Sequence, residues 1–358
     1  LYRLAEKHCS LPFLLPYFEN QPQFSALKQQ TKQMLLSYYQ LEHFTRLTFS
    51  LLLAEKIPCF LLKGISLAAN YPIPEYRKLG DLDLYIPEKD AFSRACRILN
   101  AHGYTEEPEE SDHHVTYRFT FPETGRSFTL ELHYRIVGIY QFSRANELVD
   151  EIFSASHLKP SFVELYGQTY PVLPPTENVF YMLHHMLKHY LYCDFTLYLE
   201  RYASEVNFEK IHFWCRESKI FHLYELILES CRIYFGLSAS IDPQVHCSAS
   251  DCAIFLEKIL ADGDFGSDTQ RKIVSSGSYQ HTGIHAWFHE GHIQMKLRFP
   301  KLHKCVLLWP VLWVITFFCF LSNTYRIRHT TLRQTLADFR ADNRKTKLLK
   351  IFDNNDLQ

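Results

Sequence analysis

The sequence predicts an α+β or α/β protein in which a small strand-containing unit lies between a helical N-terminal segment and a longer, mostly helical C-terminal region. Three observations predict it. Apolar residues recur near the 3.6-residue helical period before residue 56, and again from Glu177 to Gly236. Between these stretches lie short apolar runs of strand length, separated by proline and glycine. Two of those runs carry polar residues at every second position, Asp81 and Asp83 in one, Glu131 and His133 in the other.

Residues 1–56 are expected to be helical because Leu35, Leu36, Tyr39, Leu41, Phe44, Leu47, Leu51 and Leu52 follow the helical period, and Pro58 ends the stretch. Cys59 to Leu62 then forms a short strand, Lys63-Gly64 a turn and Ile65 to Asn70 a short helix. Two prolines make Tyr71 to Leu79 a loop. Leu82 to Ile86 is a strand, and Pro87 sits where a helix can start. That helix buries Ala91, Ala95, Ile98 and Leu99 and stops at Gly103. Val115 to Phe121 and Phe128 to Ile136 form a hairpin turning at Pro122 to Gly125. Ala261 to Ser278 is a polar linker, and the charged tail from Arg326 onward is a solvated helix with a frayed end. Four segments are expected: 1–56, 57–140, 141–300 and 301–358.

Composition narrows the function classes. With 358 residues and 47% hydrophobic content, the chain is not mainly disordered and has room for two or three domains. Its 38 basic and 39 acidic side chains give a formal charge of −1, so a nucleic-acid polymer is not the expected partner. The ten cysteines are scattered, and the one close pair, Cys247 and Cys252, lacks CxxC spacing. They read as reduced thiols in a cytoplasmic protein. No basic stretch followed by an apolar run opens the sequence as given, so no secretory leader is expected in it.

In an extended strand Asp81 and Asp83 point the same way, as do Glu131 and His133. Three convergent carboxylates are costly to hold together unless a cation neutralises them, so a divalent metal site is the first hypothesis. A lone Asp-x-Asp is more often a surface turn. Here it stands in order with Leu62-Lys63-Gly64, Arg77-Lys78-Leu79-Gly80-Asp81-Leu82-Asp83-Leu84 and Glu131-Leu132-His133.

That order resembles the nucleotidyltransferase superfamily typified by DNA polymerase β. Within it, the chain is most similar to the bacterial family of uncharacterised nucleotidyltransferases with an LKG…RxxGDxDL…ELH pattern. The resemblance implies a small mixed-sheet nucleotidyltransferase domain that transfers a nucleoside monophosphate from an NTP to a small-molecule, peptide or protein acceptor, releasing pyrophosphate. It implies Asp81, Asp83 and Glu131 as ligands of Mg²⁺ (or Mn²⁺), the two aspartates holding the ion that carries the triphosphate. Two cations about 3.5–4 Å apart can stabilise both the attacking and the leaving oxygens. Lys63-Gly64 stands where the superfamily usually has Gly-Ser. Gly64 supplies the permissive backbone for a phosphate, Ile65 replaces the serine, and Ser66 is the substitute hydroxyl. Lys63 and Arg77 are the candidate counter-charges for phosphate, and Gly80 completes the nucleotide-binding set.

His133 is a candidate general base, with a structural bond to a backbone carbonyl as the alternative. His113 and His114 either border the same pocket or sit in a solvated turn. His184 shares the apolar side of its helix with Phe180 and reads as a core histidine. His185, Lys188 and His189 form a polar face, lining the cleft or simply at the surface.

The run Cys305 to Leu321 carries no charge over seventeen residues and contains Trp309, Pro310 and Trp313. An interfacial helix making peripheral membrane contact, a buried core helix and a membrane span are all consistent with it. Two alternatives to catalysis in the cytoplasm stand, one from the departure at Lys63-Gly64-Ile65 and one from this run. One is an inert nucleotide- or partner-binding protein on the same fold. The other is a membrane-associated transferase acting on an envelope or lipid-linked substrate.

Overall fold

The computed structural model describes residues 2–262 apart from 20, 23, 109, 110, 141, 142 and 187–191, and residues 288–326 apart from 289, 290, 293, 297, 300 and 301. After the short helix α1 (Tyr2–Lys7), helix α2 (Phe24–Ala54) buries Leu27, Tyr38, Leu41, Phe44, Phe49 and Leu52 along one stripe. Leu36, Tyr39 and Leu47 are exposed, so the helical period is as expected but its buried face is rotated from the one those leucines suggested. Tyr38 and Phe44 take the core positions because aromatic volume fills the space between helix and sheet.

Five strands follow the order β1-β2-β5-β4-β3. Strand β1 (Phe60–Leu61) precedes the single-turn helix α3 (Ile65–Ala68), and β2 (Leu82–Tyr85) enters helix α4 (Lys89–Ala101). The cap of α4 is Glu88, whose carboxylate accepts from the N–H groups of Asp90 and Ala91 at 2.9 and 2.6 Å. Ala91, Ala95 and Leu99 form its buried stripe. The strands β3 (Thr105–Glu106), β4 (His114–Thr120) and β5 (Ser127–His133) complete the sheet. Strand β5 runs parallel to β2 and antiparallel to β4, and β1 runs antiparallel to β2, so the sheet is mixed. β3 is too short to register as a strand in sequence.

The alternation expected for these strands separates two chemistries. Leu82, Leu84, Leu130 and Leu132 share one core with α2 and α4. Tyr85, offset by one position, belongs instead to a second core built from the helices that follow. These are α5 (Ser143–Ile152), then, after the hairpin β6 (Ser161–Leu165) and β7 (Gln168–Val172), α6 (Pro175–Met186), α7 (Tyr192–Tyr202), α8 (Phe208–Glu217), α9 (Phe221–Phe235) and α10 (Ala249–Asp262). The β6–β7 hairpin, unexpected from sequence, turns at Tyr166 and Gly167, both at positive φ. Asn207 caps α8, and Gly236 ends α9 in the left-handed conformation.

Helix α11 (Trp309–Arg326) covers most of the uncharged run. Leu312 and Thr316 are buried, whereas Leu307, Val311, Val314 and Phe318 are exposed. That exposure contradicts the buried core helix. Among the described residues no helix is long and apolar enough to cross a membrane. Most of the linker expected at Ala261–Ser278 and nearly all of the tail lie outside the described residues.

Candidate active site

The parallel pairing of β2 with β5 sets Asp83 beside Glu131 and Tyr85 beside His133. Because side chains alternate, Asp83, Glu131 and His133 leave the sheet on the face opposite the leucines. His133 Nε2 lies 3.2 Å from Asp83 Oδ1 and 3.4 Å from Glu131 Oε2. Lys63, at the turn after β1, brings Nζ to 3.2 Å from the same Asp83 oxygen. Asp83 and His133 are buried, and Glu131 is half-buried. Two carboxylates therefore meet one ammonium and one imidazole in a sheltered pocket.

The electrostatics follow from that mutual neutralisation. Burial pulls the Lys63 pKa down, but the Asp83 carboxylate, with Tyr181 and Glu131 adding to it, carries it above the usual lysine value. Burial pushes Glu131 up, yet its bond to His133 and the Lys63 charge hold it below the carboxylate range. For His133 burial acts downward, and the bonds to Asp83 and Glu131 outweigh it, so the imidazole holds its proton more firmly than usual. Tyr181 of α6 is buried beside this group; burial raises its phenol, and the charges of Lys63, Asp83 and Glu131 all act on it.

Gly64 has φ 60° and ψ −120°, and a Cβ there would lie 3.6 Å from the carbonyl oxygen of Asp81. The turn after β1 and the segment entering β2 therefore run close together. Asp81 precedes β2 and is exposed, outside the group formed by Asp83, Glu131 and His133. Ser66 shares its hydroxyl hydrogen between the carbonyl oxygens of Leu62 and Lys63, each at 3.1 Å. Gly80 has open space around its Cα.

Arg77, expected to face phosphate, instead places Nε 2.7 Å from Asp194 Oδ1 and Nη2 2.8 Å from Oδ2, both residues being buried. Tyr71 donates to the same carboxylate at 2.9 Å. This bidentate pair commits the guanidinium fork to tying the loop before Gly80 to α7, although its charge still acts on Asp83. Nothing in the sequence linked Arg77 to Asp194, 117 residues away.

His114 opens β4 directly opposite His133, and the His114 and His133 ring centroids are 5.1 Å apart. His113 is 5.5 Å from His133, so both histidines border the pocket rather than forming a solvated turn. Burial, with the neighbouring His133, His113 and Lys63, outweighs the pull of Glu131 and lowers the His114 pKa to about 3. His184 is a core histidine, as expected: its ring lies 4.5 Å from Phe180, and Nδ1 is 2.7 Å from the Tyr140 hydroxyl. His185 is half-buried, while Lys188 and His189 lie outside the described residues.

A mixed sheet with carboxylates side by side on its two central parallel strands defines the class as nucleotidyltransferase-like. A model of the family described as uncharacterised nucleotidyltransferase matches residues 3–236, and the chain belongs to that family. No curated protein matches. Among solved structures, an antigenic nucleotidyltransferase-like protein from Paracoccidioides brasiliensis is similar at 14% identity and TM-score 0.31, over 57% of this chain and 93% of that one. The nucleotidyltransferase toxin MenT4 from Mycobacterium tuberculosis H37Rv is similar at 15% identity and TM-score 0.29, over 69% and 73%. Likenesses this distant decide nothing about the site.

Proposed function

We propose that this chain transfers a nucleoside monophosphate from an NTP to a small-molecule, peptide or protein acceptor, with release of pyrophosphate. The observation that carries the reading is the parallel register of Asp83 with Glu131, beside Lys63 Nζ and His133. One donor atom from each of Asp83, Glu131 and His133 lies within 4.8 Å of the others, a set that fits a divalent cation. The two carboxylates offer the hard oxygens that Mg²⁺ or Mn²⁺ takes, and Asp81 at the mouth of β2 is the third acidic ligand of the proposal. When bound, the ion neutralises triphosphate charge and stabilises the leaving oxygen.

The remaining roles belong to the chain itself. Lys63 brings a fixed positive charge to the phosphates. Gly64 keeps the turn low enough for phosphate to approach its backbone, with Ser66 holding that turn through its carbonyl bonds and Gly80 leaving room beside it. Arg77 acts from behind, as a charge that fixes the loop entering Asp81. His133 Nε2 stands between the two carboxylates and holds or passes the acceptor's proton.

The test is pyrophosphate release from each NTP with Mg²⁺ or Mn²⁺ against pools of acceptors. Asp83→Asn and Glu131→Gln should each lower the rate by about 100-fold or more, with circular dichroism unchanged. Undiminished turnover in the folded variants removes the assignment. A second reading, nucleotide binding without turnover, is favoured by one contact: Lys63 sits 3.2 Å from Asp83 and already neutralises it. Calorimetry separates the two, since metal-independent nucleotide binding with no pyrophosphate release supports the second.

A further inference from the structure

Next to the carboxylate pair is a group of donors of a different kind, of which the proposed reaction uses only His133, through Nε2. His113, His114 and His133 each offer one ring nitrogen, and these three atoms lie within 4.8 Å of one another. We propose that the three imidazoles form a binding site for one divalent d-block cation, Zn²⁺ being the type, distinct in donor chemistry from the oxygen site of Asp83 and Glu131. The proposal goes beyond the nucleotidyltransferase reading and does not depend on it.

Four features carry it. First, the site is built by the fold: His114 is the cross-strand partner of His133 in the β4–β5 ladder, so pairing alone brings those two rings together. Second, His133 spends Nε2 on Asp83 and Glu131, while its Nδ1 is buried without a hydrogen-bond partner among the described residues. A buried ring nitrogen in that condition is costly unless something fills the place. Third, His113 Nδ1 lies 2.7 Å from Asp112 Oδ1, and the other oxygen of that carboxylate accepts from the N–H of Ile139 at 2.8 Å. A carboxylate anchored in this way holds the ring in place, as the carboxylate partners of metal-ligating histidines do. Fourth, Ser111 Oγ lies 3.1 Å from His114 Nδ1, fixing the third ring in the same sense.

Donor type then decides the cation. Imidazole nitrogens suit Zn²⁺, Co²⁺, Ni²⁺ or Cu²⁺, whereas Mg²⁺ prefers oxygen. Around a tetrahedral ion with bonds of about 2.0–2.1 Å, ligand nitrogens lie roughly 3.3 Å apart. The three nitrogens already lie within 4.8 Å of one another. Three protein nitrogens around a tetrahedral ion would leave a fourth position for water or a ligand.

The test uses the full chain, stripped with a chelator and titrated with Co²⁺ in excess Mg²⁺, followed by its visible d–d absorption, with Zn²⁺ as competitor. The expected result is one tetrahedral Co²⁺ per chain that Zn²⁺ displaces and Mg²⁺ does not. His114→Gln should remove the band, and Asp112→Asn, changing a positioning residue, should weaken binding by about 10–100-fold. Asp83→Asn should leave Co²⁺ bound although it removes Mg²⁺-dependent turnover, so failure of this site and failure of the catalytic reading give different results. Absence of the band, a band unchanged in His114→Gln, or a band lost in Asp83→Asn overturns the proposal. If His114→Gln does not fold, electron paramagnetic resonance of Cu²⁺ bound to the wild-type chain decides: coupling to three imidazole nitrogens supports the site, and coupling to fewer than three removes it.

Discussion

At Lys63-Gly64 two adjacent residues perform unlike tasks in one turn. Lys63 answers the charge of Asp83 at 3.2 Å, and Gly64 adopts a backbone conformation, φ 60° with ψ −120°, that a side chain resists. A Cβ at Gly64 meets only the Asp81 carbonyl at 3.6 Å, which is ordinary contact, so the strain of a substitution is in the backbone rather than in a clash. Gly64→Ala is therefore expected to destabilise the protein by about 1–3 kcal/mol, read as a lower urea midpoint at unchanged slope. A midpoint equal to or above that of the wild type contradicts the argument. Glycine in this turn was visible in the sequence. The contact of Lys63 with Asp83 was not, because it depends on how far apart β1 and β2 place residues twenty positions apart.

Between elements, a buried ion pair joins the Arg77 loop to α7. Both partners are buried and the geometry is bidentate, so removing one leaves the other as an uncompensated charge. Asp194→Ala should cost about 3–5 kcal/mol, measured by chemical denaturation. Replacing the pair with Arg77→Met and Asp194→Leu together should recover much of that loss. Equal loss in the single and double variants would show that the joint contributes packing rather than charge pairing. Tyr71 reinforces the same connection by donating to Asp194 at 2.9 Å. A helix-period pattern can announce α6 and α7, but it carries no information about which sheet face they cover.

For the molecule as a whole, acid sensitivity is expected from His184, which lies in the core of the helical region. Burial, with the Arg135 charge adding to it, lowers its pKa from the usual 6.5 to about 3. Below pH about 6.5 the unfolded chain takes up a proton that the folded chain refuses, so this contribution to stability falls as pH drops from 6.5 toward 3 and is constant above. At about 1.4 kcal/mol per unit of pKa difference the full effect is a few kcal/mol. Urea midpoints measured across that window should fall more steeply for the wild type than for His184→Gln. Parallel profiles would assign the acid sensitivity to other groups.

How much was legible in the sequence differs by element. Strands β1, β2, β4 and β5, helix α4 with its stop at Gly103, and the helical character of both flanks were readable, because each is written in local spacing of apolar residues and turn formers. So was the shared face of Glu131 and His133, since alternation along one strand fixes which of its side chains point together; the meeting of Asp83 with that pair was set by strand register. The β6–β7 hairpin was not readable, because its strands are only five residues long and β7 carries Pro171. Neither were the exposure of Asp81, the capture of Arg77 by Asp194, or the meeting of His113 and His114 with His133. By itself the sequence determined the order of elements and the chemical types brought to the site. Tertiary structure alone decided the partners, because strand register and helix docking set distances between residues that local physics leaves independent.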